Sequence, residues 1–438
     1  MKKVAKVAII GAGAAGLCAL RVFTDSSANS STSFCVVCYE QGSRVGGTWI
    51  YTDQVGQDEN GLPVHSSMYE NLKTNLPKEC MAFPDYPFPE LPSFVRHEEV
   101  QKYLEDYATH FDVLKYIEFQ TIVTLVEPIS DDTNQFGTSW KVTTKSVTDS
   151  SLENTSVFDA VLICNGHYAV PLFPDIPGLD TFSGEILHSH DYRRPTAFLD
   201  KRVLVLGAAS SGQDISIEVA SVAKQVFLSH NKPLLKSPLP DNLQQRPGIK
   251  NINKGRVEFL DGSQEDVDFL LLCTGYHYRY TFLSAACGVE VTENRVTPLY
   301  KHLVHTKHPN LAILGICKVV IPFPMFHMQA SFCRAVLDGS LILPSEAEIN
   351  RETEEDYRSR LASGLPHRHA HVLNEDQFSY NDELADMAKV PKLTDHYKQL
   401  NQATRNLRQS DLVGYKRLNF VLDKEDDTYK IQNSNFSL

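Results

Sequence analysis

Short apolar runs that end in glycine dominate the hydrophobic pattern of the chain. The two clearest are Val7–Gly11 and Val203–Gly207, and Phe158–Gly166 and Asp268–Gly275 are of the same type. Continuous apolar runs, as opposed to alternating ones, indicate strands buried on both faces of a parallel sheet. Helical spacing follows the first two runs. The pattern therefore predicts an α/β protein with two Rossmann-like dinucleotide-binding domains.

The first run opens a complete dinucleotide-binding fingerprint. Glycines stand at positions 11, 13 and 16, where they permit a tight turn, close approach of a pyrophosphate and close helix–strand packing. The next apolar stretch ends in Glu40, an acid at the spacing from the loop that suits a ribose hydroxyl. The predicted contact residues are Gly11, Gly13, Ala14, Ala15, Gly16 and Glu40.

The second run opens a related loop with a different middle residue. Ala209 replaces the central glycine, and two serine hydroxyls follow as phosphate donors. The next strand, Gln225–Ser229, leads into His230-Asn231-Lys232 and lacks a terminal acid, which favours a ribose 2′-phosphate and thus NADPH over NADH. The predicted contacts are Gly207, Ser210, Ser211, Gly212, Asp214, His230 and Lys232.

Two such loops on one chain suggest that two dinucleotides meet and exchange electrons. A structural βα turn that binds nothing remains the alternative for the second loop.

Composition and charge exclude several classes of partner. The chain has 438 residues, 42% of them hydrophobic, and a formal net charge of −12. This charge argues against nucleic acid and against anionic membranes as partners. No window is long and apolar enough for a membrane anchor. The short polar N-terminus leaves no room for a signal peptide, which predicts a cytoplasmic or otherwise soluble protein, with secretion left open if a leader has been removed.

The nine cysteines are scattered, and one Cys-x-x-Cys pair lies within a predicted strand. Cys35 and Cys38 should face opposite sides of that strand, which argues against a redox pair or a zinc site. Reduced, mostly buried thiols are the simpler interpretation.

Further motifs give the chain a specific resemblance. They are Gly46-Gly47-Thr48-Trp49, the segment Thr74-Asn75-Leu76-Pro77, the spacing of Phe182, Gly184, His188 and Tyr192, and Leu272–Tyr276. Together with the two loops they resemble the flavin-containing monooxygenases, over residues 5 to about 340. Related Baeyer–Villiger enzymes carry Trp where this chain has Tyr192-Arg193, so ketone oxygenation is disfavoured.

The chain is most similar to the soluble branch of that family, and within it to insect N-oxygenases that act on tertiary-amine alkaloids such as pyrrolizidines. Plant relatives oxygenate thioether sulfur. The resemblance implies a FAD-binding domain in two parts, residues 1–168 and 281–438, the second part including a C-terminal helical tail. It places an NADPH-binding domain, residues 169–280, between them.

The resemblance also implies the chemistry. NADPH reduces FAD, O₂ adds at the flavin C4a, and the resulting hydroperoxide passes one oxygen to a soft nucleophilic nitrogen or sulfur. Asn75 is the expected catalytic residue, as an amide donor beside the flavin; an Asx-turn is the alternative. Gln329, expected to open a helix aimed at the flavin, completes the FAD set of Gly47, Thr48, Trp49, Thr74, Asn75 and Leu76.

Histidines at three places in the chain could also have structural or binding roles. His188 is expected to be structural at the link between the domains, and His65 is a weaker pocket candidate. The tail carries His367, His369 and His371, but no Cys or carboxylate follows at ligand spacing, so a solvated loop without metal is predicted.

Competing functions remain open. A flavin disulfide reductase also pairs two Rossmann domains, but it needs a redox Cys-x-x-Cys beside the flavin. A pure NADPH oxidase or a non-enzymatic flavoprotein would give no oxygenated product. The substrate, the preference between nitrogen and sulfur, and assembly into a homo-oligomer are left undecided by the sequence.

Overall fold

The computed structural model describes residues 3–26, 32–149, 151–423 and 428–433. The α-helices within these ranges are α1 (Ala14–Thr24), α2 (Lys78–Met81), α3 (His97–His110), α4 (Ser210–Ala220), α5 (Pro322–Asp338), α6 (Glu346–Ala362), α7 (Asp376–Ala388) and α8 (His396–Ser410).

The first ten strands are β1 (Lys3–Ile10), β2 (Thr32–Tyr39), β3 (Ile117–Glu118), β4 (Thr121–Ser130), β5 (Thr138–Ser146), β6 (Glu153–Phe158), β7 (Ala160–Ile163), β8 (Glu185–His188), β9 (Arg202–Leu206) and β10 (Gln225–Ser229). Six strands follow, namely β11 (Leu243–Arg246), β12 (Ile249–Asn253), β13 (Arg256–Phe259), β14 (Gln264–Asp266), β15 (Phe269–Leu272) and β16 (Glu290–Thr292). The last six are β17 (Arg295–Thr297), β18 (Leu299–Tyr300), β19 (Val304–His305), β20 (Leu311–Ile313), β21 (Leu418–Asp423) and β22 (Thr428–Asn433).

The larger sheet has seven strands in the order β18-β19-β20-β7-β1-β2-β3. Its centre is parallel, with β1 between β2 and β7. Val7, Ala8 and Ile9 have no exposed surface, as the continuous apolar run predicts for a strand covered on both faces. Helices α1 and α5 pack on this sheet and share its apolar core.

The second sheet has five parallel strands in the order β11-β10-β9-β15-β8. All five lie between β7 and β18 in the chain, so this unit is inserted into the unit that holds the larger sheet. The predicted α/β class, with one Rossmann-like unit inside the other, is therefore confirmed. The domain boundaries at residues 168 and 280 stay predictions.

The C-terminal tail, predicted to be helical, also contains strands. Three helices, α6 to α8, are present, but the chain then forms an antiparallel hairpin of β21 and β22. Phe420 on β21 is buried in a small core with Tyr397 and Leu400 of α8 and Cys80 of α2. The polar composition of the tail concealed this core, because few apolar positions are needed to build it.

Candidate functional site: two phosphate loops and the cavity between them

The first loop is shaped mainly by contacts within the protein. Gly11 has a φ of +101°, and a Cβ on it would lie 2.7 Å from the Cys164 carbonyl oxygen. A Cβ on Gly16 would lie 1.8 Å from the carbonyl oxygen of Gly11. These two glycines are therefore required by the fold itself, for the turn and for the close packing of α1 on β1.

Gly13 differs, because the protein leaves room for a side chain there. Its φ is −74°, and the nearest atom to an added Cβ is the Gly47 Cα, 3.5 Å away. Neither backbone conformation nor protein packing demands glycine at this position. The space next to the start of α1 is thus available to a ligand, as expected for a pyrophosphate at a helix N-terminus. Ala14 and Ala15 form the buried first turn of that helix.

Glu40 lies beside this loop, at the end of β2. Its carboxylate is buried and accepts hydrogen bonds from the backbone amides of Ala12 and Gly42, both at 2.7 Å. Each carboxylate oxygen keeps an acceptor position, since a carboxylate has about four. The acid therefore fixes the loop and can still accept hydrogen bonds from a ribose.

The segment Gly46–Trp49 passes over the first loop. Gly47 has a φ of +57°, and its carbonyl accepts a hydrogen bond from the His65 ring at 3.1 Å. Ser66 likewise donates to the carbonyl of Thr48 at 2.9 Å, while the Thr48 hydroxyl is buried and has no partner among the described residues. The Trp49 ring packs edge-on against Phe323 of α5. His65 thus supports this segment through its backbone.

Thr74, Asn75 and Leu76 follow on a loop next to α2. The Thr74 amide donates to the Val95 carbonyl at 2.8 Å, and the Thr74 hydroxyl is a second buried oxygen without a partner in the described structure. Buried hydroxyls are normally satisfied. Two unsatisfied hydroxyls at positions predicted to contact FAD fit a cofactor that supplies the missing partners.

The second loop repeats the turn of the first. A Cβ on Gly207 would lie 2.4 Å from the Cys273 carbonyl oxygen, and one on Gly212 would lie 1.7 Å from the Gly207 carbonyl oxygen. Ala209, which precedes α4, is exposed with a φ of −81°. Ser210 and Ser211 open α4, with the Ser211 side chain exposed. The Asp214 carboxylate binds Lys416 of the C-terminal segment, at 2.7 Å.

A cavity of about 700 Å³ joins the second loop to Asn75. Asn75 and Leu76 line it together with Ala208, Ala209 and Ser210. Within the described part of the chain, the Asn75 side chain makes no hydrogen bond, so the Asx-turn predicted as an alternative is not formed. Four cations line the cavity and no described acidic residue does; the cations are Lys232, Lys236, Arg405 and Arg408.

His230 and Lys232, both predicted to bind NADPH, lie in different environments. His230 is buried, with its Nε2 3.1 Å from the Gln245 side-chain oxygen and its Nδ1 accepting from the Lys232 amide. Both ring nitrogens are therefore engaged within the protein. Lys232 lines the cavity, and no ion pair to it is found among the described residues. Lys232 is thus the member of the pair that is available to a phosphate.

Comparison with known proteins now decides the family. Residues 4–236 and 231–396 match the flavin-binding monooxygenase-like family. This chain belongs to that family. Its relatives include the flavin-containing monooxygenase FMO GS-OX-like 2 of Arabidopsis thaliana, which is 38% identical over 412 residues, 88% of this chain and 85% of the relative.

Solved structures support the same assignment for this monooxygenase. The S-allyl-L-cysteine S-oxygenase of Allium sativum is 35% identical, with a TM-score of 0.86 over 94% of this chain and 95% of the other. Tmm from Pelagibacter sp. strain HTCC7211 is 28% identical, with a TM-score of 0.84 over 97% of this chain and 95% of the other. The family resemblance and the FAD and NADPH cofactors predicted from sequence are thereby confirmed.

Gln329 of the monooxygenase does not open a helix, which corrects the sequence interpretation. Helix α5 begins at Pro322, and Gln329 is fully buried in its middle. Its side-chain oxygen accepts from the Gly315 amide, and its nitrogen donates to the Tyr380 hydroxyl, both at 2.9 Å. The helix begins earlier than expected because Pro322 and Pro324 lie in its first turn, where proline is well tolerated.

The histidines of the tail of the monooxygenase also need correction. His371 is buried instead of solvated, and its Nε2 accepts from the Val296 amide at 2.9 Å. Its Nδ1 lies 3.0 Å from the His302 Nδ1. Burial and the neighbouring His302 hold the pKa of His371 well below its ordinary value. No set of three His, Cys, Asp or Glu side chains among the described residues is placed to hold a metal ion.

Nothing in the sequence indicated that Arg193, next to Tyr192, holds the fold of the monooxygenase together. Arg193 is buried and donates to five backbone carbonyls, those of Thr52, Gln54, Ser66, His190 and Tyr192. It thereby ties the segment from Thr52 to Ser66 to the second nucleotide unit. His188, close by, is buried as expected of a structural residue, and its Nδ1 accepts from the His190 amide.

The cysteines and the helix lengths of the monooxygenase bear on the remaining expectations. Cys35 is exposed and Cys38 is buried, which confirms that they face opposite sides of β2. All nine cysteines lie in the described ranges, and all are free thiols. Across the described ranges, every helix is too short or too polar to span a lipid bilayer.

Proposed function

We propose that this flavin monooxygenase takes one oxygen atom from O₂ and adds it to a soft nucleophilic heteroatom of a small molecule, with NADPH as reductant. The observation that carries the proposal is the cavity that places Asn75 beside the second phosphate loop. Asn75 directly follows Thr74, whose buried hydroxyl has no partner in the described structure and can contact FAD. Because Asn75 and the second loop line the same cavity, two dinucleotides can meet there.

FAD is assigned to the first loop. Gly13 leaves space at the start of α1, and Glu40 offers acceptors to a ribose. The hydroxyls of Thr48 and Thr74 have no partner in the described ranges of the chain. Gly47, Trp49 and Leu76 complete the wall. When bound and reduced, FAD supplies the electrons and the oxygen activation. The protein has to bind, orient and exclude water.

NADPH is assigned to the second loop and the cavity. Ser210 and Ser211 at the start of α4 present hydroxyls and amides to phosphate, and Lys232 stands where a ribose acid would otherwise lie. The four cations that line the cavity favour an anionic ligand in a protein with a net charge of −12. His230 supports Lys232 through its backbone amide.

Asn75 is proposed to hold the nicotinamide end of the nucleotide. Asn75 lines the cavity, its side chain makes no hydrogen bond to any residue that the structure describes, and an amide can both donate and accept. A nucleotide kept in this place would shield the reacting centre from water. Loss of the amide should therefore separate NADPH consumption from substrate oxygenation.

The acceptor atom is proposed to be a tertiary-amine nitrogen, as the sequence resemblance to insect alkaloid N-oxygenases suggests. Thioether sulfur is the second candidate, and it is favoured by the 35% identity to the S-allyl-L-cysteine S-oxygenase. Both atoms carry a polarisable lone pair, so the reacting centre can serve either.

A paired substrate assay tests the proposal. The FAD-loaded enzyme is given NADPH, O₂ and either a tertiary amine or a thioether of matched size, and NADPH, O₂ and product are all measured. Close to one product per NADPH is expected with at least one of the two. A ketone of the same size serves as the control and should give no ester. NADPH consumption with hydrogen peroxide as the sole product for every substrate would contradict monooxygenation.

A further inference from the structure

The cavity that joins Asn75 to the second loop also has apolar lining. Val319 and Val320, on the segment between β20 and α5, line it together with Asn75 and Leu76. Val320 packs against the main apolar core, whereas Val319 is 58% exposed and belongs to no apolar cluster of the described chain. Single exposed apolar residues are common on protein surfaces. This one, however, lies in the cavity where the reaction is proposed to occur.

The backbone of Val319 is strained. Its φ is +57°, in the left-handed region, where a β-branched residue is a genuine outlier. Hydrogen bonds on both sides hold the segment in place. The Lys318 amide donates to the His371 carbonyl at 2.8 Å, and the Ile321 amide donates to the Gln377 side-chain oxygen at 2.7 Å. Strain of this kind persists only where the surroundings impose it, and it is concentrated at functional sites.

The charges around the cavity favour an uncharged substrate. Four cations line it and no described acidic residue does. A protonated amine would therefore find no counter-ion, and the positive surroundings lower the pKa of an amine that binds there. The deprotonated amine is also the form that has the free lone pair needed for oxygenation.

The chemistry of the acceptor atom explains why an apolar contact is useful. A tertiary-amine nitrogen carries three carbon substituents and a thioether sulfur carries two, so the reacting atom enters the cavity surrounded by hydrocarbon. Hydrocarbon gains free energy when it leaves water for an apolar surface. The phosphates of NADPH suit the cations of the cavity and gain nothing from a valine.

We propose that Val319 contacts the alkyl groups of an uncharged substrate and so selects substrates with a large apolar body on the reacting heteroatom. The inference rests on the proposed oxygenation of a soft nitrogen or sulfur in this cavity. It makes Val319 a determinant of substrate specificity, without a part in binding NADPH or reducing the flavin.

A homologous series of substrates tests the inference in the FAD-loaded enzyme. N,N-dimethylalkylamines with ethyl to octyl chains, or methyl alkyl thioethers if sulfur is the better acceptor, are given to the wild type and to Val319→Asn at one pH. Wild-type kcat/KM should rise with chain length, by up to about fourfold per methylene, the value of burying one such group. In Val319→Asn the octyl compound should lose about tenfold, mainly through KM, and the ethyl compound less than about twofold.

Thermal stability gives a second readout, which a merely structural role would not reproduce. Asparagine accepts the left-handed conformation, so Val319→Asn should relieve strain and have a Tm at or above that of the wild type. Specificity and stability should therefore change in opposite directions. Val319→Thr keeps the β-branched shape and the strain, and it should lose the octyl compound with little change in Tm. It also carries the kinetic test if Val319→Asn fails to fold.

Val157→Asn serves as the matched control. Val157 is likewise an exposed valine, but it lies on strand β6 and does not line the cavity. Its replacement should leave the chain-length dependence of kcat/KM unchanged. Its Tm should fall slightly, because asparagine is unfavourable in a strand.

Three results would overturn the inference. One is wild-type kinetics in Val319→Asn. Another is an equal loss of kcat/KM at every chain length, which would indicate general damage to the site. The third is a rise in KM for NADPH with the chain-length dependence intact, which would place Val319 against the nucleotide. If the wild type gave no oxygenated product with any amine or thioether, the proposed function would fail instead, and the inference with it.

Discussion

The two phosphate loops share a turn but differ in what surrounds them. At the first loop, Ala12, Ala14 and Ala15 beside the glycines are all buried. At the second, Ala209 is exposed and the loop opens into a cavity of about 700 Å³ lined by cations. An enclosed loop suits a tightly held cofactor, and an open cationic one suits a nucleotide that enters and leaves in each cycle. The surroundings therefore separate FAD from NADPH better than the glycine motifs do.

Substitution at the middle position of each loop should show the largest contrast. Gly13→Val is expected to give colourless protein, because its side chain would enter the space assigned to the pyrophosphate while the protein itself has room for a Cβ. Ala209→Val should keep full FAD content and change kcat/KM for NADPH only modestly. Flavin absorbance per protein is the measurement. Gly16→Ala is the folding control and should misfold, since its Cβ would lie 1.8 Å from the Gly11 carbonyl oxygen. A yellow, fully loaded Gly13→Val enzyme would contradict the assignment of FAD.

Asn75 lies between the two proposed nucleotide sites, and its loss should uncouple NADPH oxidation from substrate oxygenation. Asn75→Ala is expected to retain FAD and NADPH oxidation, while product per NADPH falls several-fold and hydrogen peroxide makes up the difference. Asn71→Ala provides the matched control on the same segment, because Asn71 bonds Glu218 and does not line the cavity. Wild-type coupling in Asn75→Ala would show that the amide has no part in retaining the nucleotide.

Ionic strength should affect the two sites unequally. The cations of the cavity attract NADPH over distances that salt screens, so KM for NADPH should rise severalfold from low to high salt. FAD content, which depends on the enclosed loop, should not change over the same range. In Lys232→Gln the salt dependence should be shallower. An identical salt response in that variant would mean that Lys232 lies outside the field felt by the nucleotide.

Acidification should produce the smallest effect, at the link between the two units. Burial, with His190 beside it, lowers the pKa of His188 to about 4. Between that value and the ordinary one of about 6.5, the unfolded chain binds more protons than the native chain, so stability falls as pH falls. From pH 7 to pH 5 this group should cost roughly 1–2 kcal/mol. His188→Gln should lose that part of the pH dependence of Tm, and an unchanged profile would contradict the role.

Local sequence was sufficient to predict the fold and both loops. In each βαβ unit the strand, the glycine turn and the helix follow one another along the chain. The fold of residues 11–40 and of residues 207–232 can therefore be predicted from local sequence. The contacts of the C-terminal tail could not be predicted from local sequence. Arg408 meets Ser210 across 198 residues of chain, and nothing in the polar pattern of α8 marks the face that reaches the cavity. Long-range packing, which no local motif encodes, decides that contact.

The helical position of Gln329 was misjudged for a related reason. The sequence shows a polar residue after a proline-rich stretch, but the prolines themselves begin α5. His371 was expected to be solvated because its neighbours in sequence are polar. It is instead buried by contacts with β17 and His302. In both cases the side chain found its partners in elements distant along the chain.

A single-turnover experiment tests most directly that two dinucleotides meet on this chain. FAD-loaded enzyme is mixed without oxygen with one equivalent of NADPH, and ¹⁸O₂ is then admitted together with the better substrate of the paired assay. If NADPH reduces FAD on this chain, the flavin colour bleaches before oxygen is added, and each NADPH yields about one product molecule with one labelled oxygen. A flavin that stays yellow in the presence of NADPH, or a product without label, would contradict the meeting of the two dinucleotides.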